Sequence, residues 1–338
     1  MLRILIVAPN WVGDTLLAQP LFARLHQRLP GVVIDALAPS WTAPLLARMP
    51  EIAEVIATPF VHGPLQLRER WRLGRSLRRR GYQQAIVLPN TFKAALLPFF
   101  ADIGLRVGFT GESRYGLLNI LHRLDEKKTP LMAERYAQLA ERPGEKASLP
   151  LLPCSLRVDA ANLLVSVGRL GLDRSRPVAV FCPGAEYGPA KRWPTRNFAA
   201  LARRFAGRGR AVWLLGSRKE RELGEEIVRF AHGDAINLCG RTDLATAADL
   251  MSVAEIVVSN DSGLMHVAAA LDKPLVALYG SSSAAHTPPL SERVKIARIE
   301  GLACSPCYRR ECPLGHFRCL NELTPEQVLL EIEALERS

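Results

Sequence analysis

Along this chain, short unbroken apolar runs alternate with stretches in which apolar residues recur every third or fourth position. The runs at residues 3–8, 32–37, 54–57 and 84–88 predict buried strands. Residues 14–28 carry helical spacing through Leu16, Leu17, Pro20, Leu21 and Leu25, and residues 67–80 predict a second helix. The scheme repeats from residue 177. Strands are predicted over 177–182, 211–215, 235–238, 255–258 and 274–278, and helices over 196–205, 219–230, 246–252 and 264–271. A last helix, 325–335, opens on Thr324-Pro325, a capping residue followed by one that suits the first helical position. Strands alternating with helices predict an α/β protein with parallel sheets covered on both faces.

The alternation lapses over residues 141–153, which are rich in Pro, Glu, Lys and Ser, a linker composition. A chain of 338 residues accommodates two domains of ordinary size. The expected division is a first domain of residues 1–165, a second of 166–323 and a terminal helical segment of 324–338. Two similar α/β halves predict a central cleft, with chemistry at the carboxyl ends of the strands.

Three polar turns follow predicted strands. The first is Asn10-Trp11-Val12-Gly13-Asp14-Thr15. Gly13 permits an unusual backbone angle there. Asp14 either caps the helix behind it or acts as a single general base at the cleft. The second runs from Cys182-Pro183-Gly184 through Glu186 and Tyr187 to Lys191-Arg192-Trp193-Pro194. A lysine ending such a loop suits a diphosphate; the plainer alternative is a solvated charge pair. The third is Ser259-Asn260-Asp261-Ser262-Gly263-Leu264, which opens a helix of small residues carrying His266. Backbone N–H groups at a helix start attract phosphate, although an ordinary cap by Asp261 or Ser262 fits the same letters. His266 is either a packing residue or a donor to a phosphate oxygen. Neither strict phosphate-loop pattern is present.

Charge narrows the partners. The formal net charge of +11 favours an anionic ligand or surface. Nucleic acid is not expected, because no zinc finger or RNA-binding aromatic signature is present. The 67–80 helix sets seven arginines against Glu69, which suits anionic lipid or simply a solvated face. No apolar stretch reaches the length of a membrane span, and residues 1–9 lack the longer apolar core of a secretory signal. The expectation is a cytoplasmic protein with reduced thiols. Cys304-x2-Cys307-x4-Cys312-x6-Cys319 has one pair with zinc-like spacing and His316 nearby, so structural zinc and free loop thiols both remain open.

Together the three turns resemble those of the lipopolysaccharide heptosyltransferases, glycosyltransferase family 9. Residues 35–41, Arg114-Tyr115-Gly116-Leu117-Leu118-Asn119, Glu134-Arg135-Tyr136 and the cysteine segment extend the resemblance over nearly the whole chain. It implies a GT-B fold, two Rossmann-like domains with parallel sheets facing a central cleft, and a last helix packed back on the first domain. It implies inverting transfer with no catalytic metal and no cofactor, ADP-heptose as donor, and a nascent lipopolysaccharide core glycolipid as acceptor, at the inner face of the inner membrane. Asp14 matches the family's base and Lys191 its phosphate-contacting lysine. Asp261, Ser262, Gly263, Leu264 and His266 match the diphosphate turn, Glu220 (or Glu222) the ribose-contacting acid, and Asn10, Trp11 and Gly13 the acceptor-side loop. Glu186 and Tyr187 stand where another branch carries paired threonines. The tryptophan before Val12-Gly13-Asp14 and the cysteine segment favour the branch that adds the second core heptose; the branches acting on other core sugars, a GT-B epimerase and a non-catalytic binding protein are the alternatives.

Overall fold

A computed structural model describes residues 1–60, 63–145 and 150–337. Their contacts divide into two compact units, Met1–Pro153 and Cys154–Ser338. Part of the expected linker, 146–149, lies outside the described residues.

The first unit contains β1 (Arg3–Val7), β2 (Val33–Pro39), β3 (Glu54–Thr58), β4 (Gln84–Val87), β5 (Leu105–Phe109) and β6 (Ile120–His122). They pair in parallel in the order β3-β2-β1-β4-β5-β6. Its helices are α1 (Val12–Leu17), α2 (Gln19–Arg28), α3 (Ala43–Leu46), α4 (Leu67–Leu77), α5 (Phe92–Phe100) and α6 (Met132–Gln138). The helix expected over 14–28 is two helices with Ala18 as the hinge, because Pro20 removes a backbone donor just beyond it.

The second unit begins with α7 (Ala160–Leu170) and β7 (Val178–Cys182), then α8 (Thr195–Gly207), β8 (Ala211–Leu214), α9 (Arg221–Phe230) and β9 (Ile236–Asn237). It continues with α10 (Leu244–Met251), β10 (Ala254–Asn260), α11 (Gly263–Ala270), β11 (Leu275–Leu278) and β12 (Val294–Ala297), and ends with α12 (Arg318–Asn321) and α13 (Pro325–Glu336). Its sheet, β12-β11-β10-β7-β8-β9, repeats the order of the first unit. Every β7 residue is buried, which is why that strand reads as a continuous apolar run. In each sheet the strand order reverses beside the first strand, between β1 and β4 and between β7 and β10. Ligands of open parallel sheets bind at such reversals.

Two expected boundaries move. The division falls at 153/154 rather than 165/166, because α7 belongs to the second unit. Asp249 on α10 accepts from Asp159 N at 2.8 Å and from Asn162 Nδ2 at 2.7 Å, tying α7 down. The terminal helix α13, expected on the first domain, buries Val328, Leu329 and Ile332 in the core of the second unit beside Phe198 and Val276.

Candidate functional site

The sequence-predicted residues fall at the two reversal points, one in each unit.

In the second unit, the loop after β7 and the turn after β10 are stapled by Asn260. Its Oδ1 accepts from Trp193 N at 3.0 Å, and its Nδ2 donates to Pro183 O at 2.7 Å. Trp193 is buried and donates from Nε1 to Leu323 O, so the segment ending in Lys191 is fixed at its far side. Lys191 Nζ then reaches Asp261 Oδ2 at 2.5 Å. Asp261 is buried and also accepts from Ser282 Oγ. The solvated charge pair considered for Lys191 is therefore not what the fold builds.

Ser262 is the N-cap of α11 but makes no side-chain cap bond. The N–H groups of the first helical turn, beginning at Gly263 and Leu264, thus take no cap from Ser262, and Asp261, the partner of Lys191, stands two residues before Gly263. His266 sits one turn in and is buried. Burial pushes its pKa down to about 4, against a pull upward by Asp261 and reinforced by Lys191. The imidazole is neutral near pH 7, so it offers a donor and not a charge.

Glu220 also meets the loop, but its Oε2 accepts from Ser217 N and Ser217 Oγ, each at 2.5 Å, in a capping box. A Cβ on Gly184 would lie 2.5 Å from the Glu220 carboxyl, so only glycine lets this carboxylate sit against the loop. Glu186 pairs with exposed Lys219, and Tyr187 donates to Tyr308 O at 2.7 Å with Lys191 Nζ 5.0 Å over its ring.

In the first unit, Asp14 does not cap α1. The cap is Trp11, half-exposed, and Asp14 stands in the first turn with its carboxylate near buried Tyr136. Burial, then the Asp14 charge, push the Tyr136 phenol well up. Gly13 lies inside α1, and a positive φ is found at other glycines but not at this one, so the expected unusual angle is absent. Asn10 O accepts from Trp41 Nε1 at 2.8 Å. Beside them a pocket opens at the carboxyl ends of the strands, lined by Asn10, Trp41, Thr58, Arg70, Thr91 and Lys93. Arg70 is buried there under the Phe60 ring, 4.1 Å away, and donates to Leu65 O and Lys93 O. Burial lowers its pKa.

Sequence reading missed Ser282, which follows a strand within Gly280-Ser281-Ser282-Ser283, a turn signal of the same kind as the other three. It also missed Arg70 and Lys93 as pocket residues. Arg70 was hidden within a run of arginines, and only the fold shows that it turns inward.

The model of glycosyltransferase family 9 (heptosyltransferase) matches residues 70–318. Lipopolysaccharide heptosyltransferase 2 of Salmonella typhimurium is 44% identical over 343 residues, 99% of this chain and 98% of that protein. The solved structure of the E. coli ADP-heptose LPS heptosyltransferase II superposes with a TM-score of 0.89 at 42% identity, covering 100% of both chains. A family 9 glycosyltransferase from Veillonella parvula shares the fold, with a TM-score of 0.86 at 22% identity over 99% of this chain and 97% of its own. The two parallel α/β units are those of the GT-B fold. The chain belongs to glycosyltransferase family 9, the heptosyltransferases.

Proposed function

We propose that this enzyme moves heptose from ADP-heptose to the first heptose of a lipopolysaccharide inner core, with inversion at the anomeric carbon. The observation that carries the donor side is the Lys191 cation held at the uncapped start of α11. Acceptor choice rests on similarity to relatives bearing the name heptosyltransferase 2.

The Asp14 carboxylate takes the proton of the acceptor hydroxyl, whose oxygen attacks the anomeric carbon. The bond from that carbon to the diphosphate oxygen breaks, and its electron pair leaves on ADP. Lys191, the first-turn amides of Gly263 and Leu264, and a neutral His266 N–H meet the charge that develops there. These groups do the work that a divalent ion does in other sugar-nucleotide enzymes, so no catalytic metal or cofactor is assigned. The reacting carbon passes through an oxocarbenium-like state. Glu220 is placed at the ribose through its Oε1 side, since Oε2 is engaged by Ser217. Tyr187 and Glu186 border the diphosphate loop. Asn10, Trp11 and Gly13 border the acceptor.

The acceptor is membrane-borne, and a peripheral contact with the anionic inner membrane belongs to this reading. Of the seven arginines on the basic segment, Arg70 is buried, Arg80 pairs with Glu54 and Arg78 donates to Phe100 O. Arg68, Arg72, Arg75 and Arg79 stay exposed beside half-exposed Leu67 and Trp71. No helix of the described residues is long and apolar enough to cross a membrane.

The deciding assay follows ADP release on lipid A–Kdo cores bearing no heptose or one heptose. Turnover is expected only on the one-heptose core. Turnover on the bare core would assign the first transfer instead, and ADP-heptose conversion without any core would assign an epimerase.

A further inference from the structure

The segment after β12 reaches back to the donor loop. Among the described residues, no three His, Cys, Asp or Glu side chains are grouped so as to hold a metal ion. The zinc considered for its four cysteines is therefore not built, and they stand as free thiols. What the segment brings to the loop is Arg310.

Backbone contacts place this residue. Ser305 Oγ donates to Gly280 O and Tyr308 N to Ser281 O, each at 2.6 Å, which fixes the segment to the end of β11. Ala190 N donates to Arg310 O at 3.1 Å, and the Tyr187 hydroxyl donates to Tyr308 O at 2.7 Å. A Cβ on Gly188 would stand 2.5 Å from Arg310 O, so the two backbones run in contact. Arg310 is thereby tied to the residues that lead directly into Lys191.

Its side chain meets the loop through Tyr187. The Arg310 guanidinium carbon lies 5.3 Å from the centroid of the Tyr187 ring, and Lys191 Nζ lies 5.0 Å from the same centroid. Cations are drawn to an aromatic face at such distances. The two charges are therefore no more than about 10 Å apart, roughly one Debye length at 0.1 M salt, close enough to repel. Lys191 is answered by Asp261, and Lys219 by Glu186. Arg310 is exposed and has no carboxylate partner among the described residues. Tyr187 spends its hydroxyl on Tyr308 O, so its ring and not its oxygen faces the cations. A loop that gathers a second, unanswered cation near a paired one suits an anion of more than one charge.

We propose that Arg310 is the second cation of the donor diphosphate site. Its planar fork binds oxygens of one phosphoryl group, while Lys191 meets the diphosphate as a point charge. The Tyr187 ring holds the guanidinium in place beforehand, so less freedom is lost when the phosphate arrives. During transfer both cations face the charge that the departing ADP acquires. This assignment rests on the donor-side reading given above, and adds to it a ligand-touching residue from outside the three turns.

The test is ADP calorimetry on the full chain, in the wild type and in Arg310→Gln, which removes the charge and leaves the carbonyl that Ala190 uses. ADP affinity should fall about tenfold, the scale of one charge-assisted contact. Its dependence on salt should become shallower, and Arg310→Lys should recover part of the loss. Amide exchange over residues 187–191 should stay as in the wild type. In the wild-type chain, ADP should shield Arg310 from an arginine-selective dicarbonyl reagent, read by peptide mass, so the test survives a variant that fails to fold. An ADP affinity that Lys191→Ala lowers and Arg310→Gln leaves unchanged overturns the role of Arg310 alone. So does a loss in Arg310→Gln with an unaltered salt slope and faster exchange at 187–191, and so does a wild-type Arg310 that reacts equally with and without ADP. A wild-type chain that binds no ADP overturns the donor-side reading and the role of Arg310 with it.

Discussion

Lys191 and Asp261 form a 2.5 Å ion pair that joins the loop after β7 to the turn after β10. The lysine is mostly covered and the aspartate nearly fully so. In the proposed donor site, a diphosphate at the start of α11 would meet a cation already held in place and would share or replace the carboxylate as its partner. Lys191→Ala should weaken ADP binding by about 10- to 100-fold, the scale of a charge-assisted contact. It should slow transfer as well, since the charge acts in ground and transition states. The change also leaves Asp261 buried and unpaired, so thermal unfolding must be followed alongside calorimetry. Unchanged ADP affinity in a folded Lys191→Ala protein would remove the lysine from the donor site.

Asp14 separates from Lys191 in its signature. Asp14→Asn keeps the size and polarity of the side chain and removes its basicity. A fall in kcat of at least about 100-fold is expected, with ADP affinity unchanged. Near-normal turnover would leave Asp14 only a helical first-turn role.

The exposed arginines of α4 and of the turn that follows it make a prediction separable from catalysis. Each basic residue near an anionic surface contributes about 1 kcal/mol. Replacing Arg68, Arg72, Arg75 and Arg79 together by alanine should abolish co-sedimentation with anionic vesicles. Transfer to a delipidated, soluble core should persist. Equal binding of the variant and the parent to anionic vesicles would make this face a solvated one.

Much of this was legible from the letters. The β-α alternation and the three turns were readable because buried parallel strands are continuous apolar runs, as in β7, and because polar turns must follow them. Two of the four edge strands were not. β6 and β12 are short and only partly buried, so they leave little periodic trace. The α1–α2 break was missed because one apolar stripe runs across it. The domain boundary moved because composition marks a linker but not which core claims α7. Within the site, residue identity revealed Lys191 and Asp261 separately, but their pairing is a tertiary fact. Glu220 shows the same limit, since its letter suggested a ligand contact while the fold gives half its carboxylate to Ser217.

Gly188 tests the coupling between the donor loop and the segment after β12. Its φ is +153°, and a Cβ would stand 2.5 Å from Arg310 O, a backbone atom that has no easy retreat. Gly188→Ala should cost about 1–3 kcal/mol of stability. It should raise the donor KM more than it lowers kcat, because the loop and not the base is displaced. Urea unfolding and initial rates check both halves. A variant with wild-type stability and KM would show that the loop adjusts freely.

His266 sets a pH dependence whose sign is fixed by burial. In the fold its pKa lies near 4, while an unfolded chain returns it to about 6.5. Between those values the unfolded chain holds a proton that the folded protein rejects. Stability is therefore intact above that window and declines as pH falls through it, by up to about 3 kcal/mol for the full window. Asp261 opposes the depression and Lys191 adds to it, so the slope is a property of the three groups together. Urea midpoints taken across the window should fall with acid in the wild type. They should fall less in His266→Gln, which has no proton to exchange there. Parallel declines in the two proteins would mean that other groups carry the acid sensitivity, and that His266 is not held neutral at the start of α11.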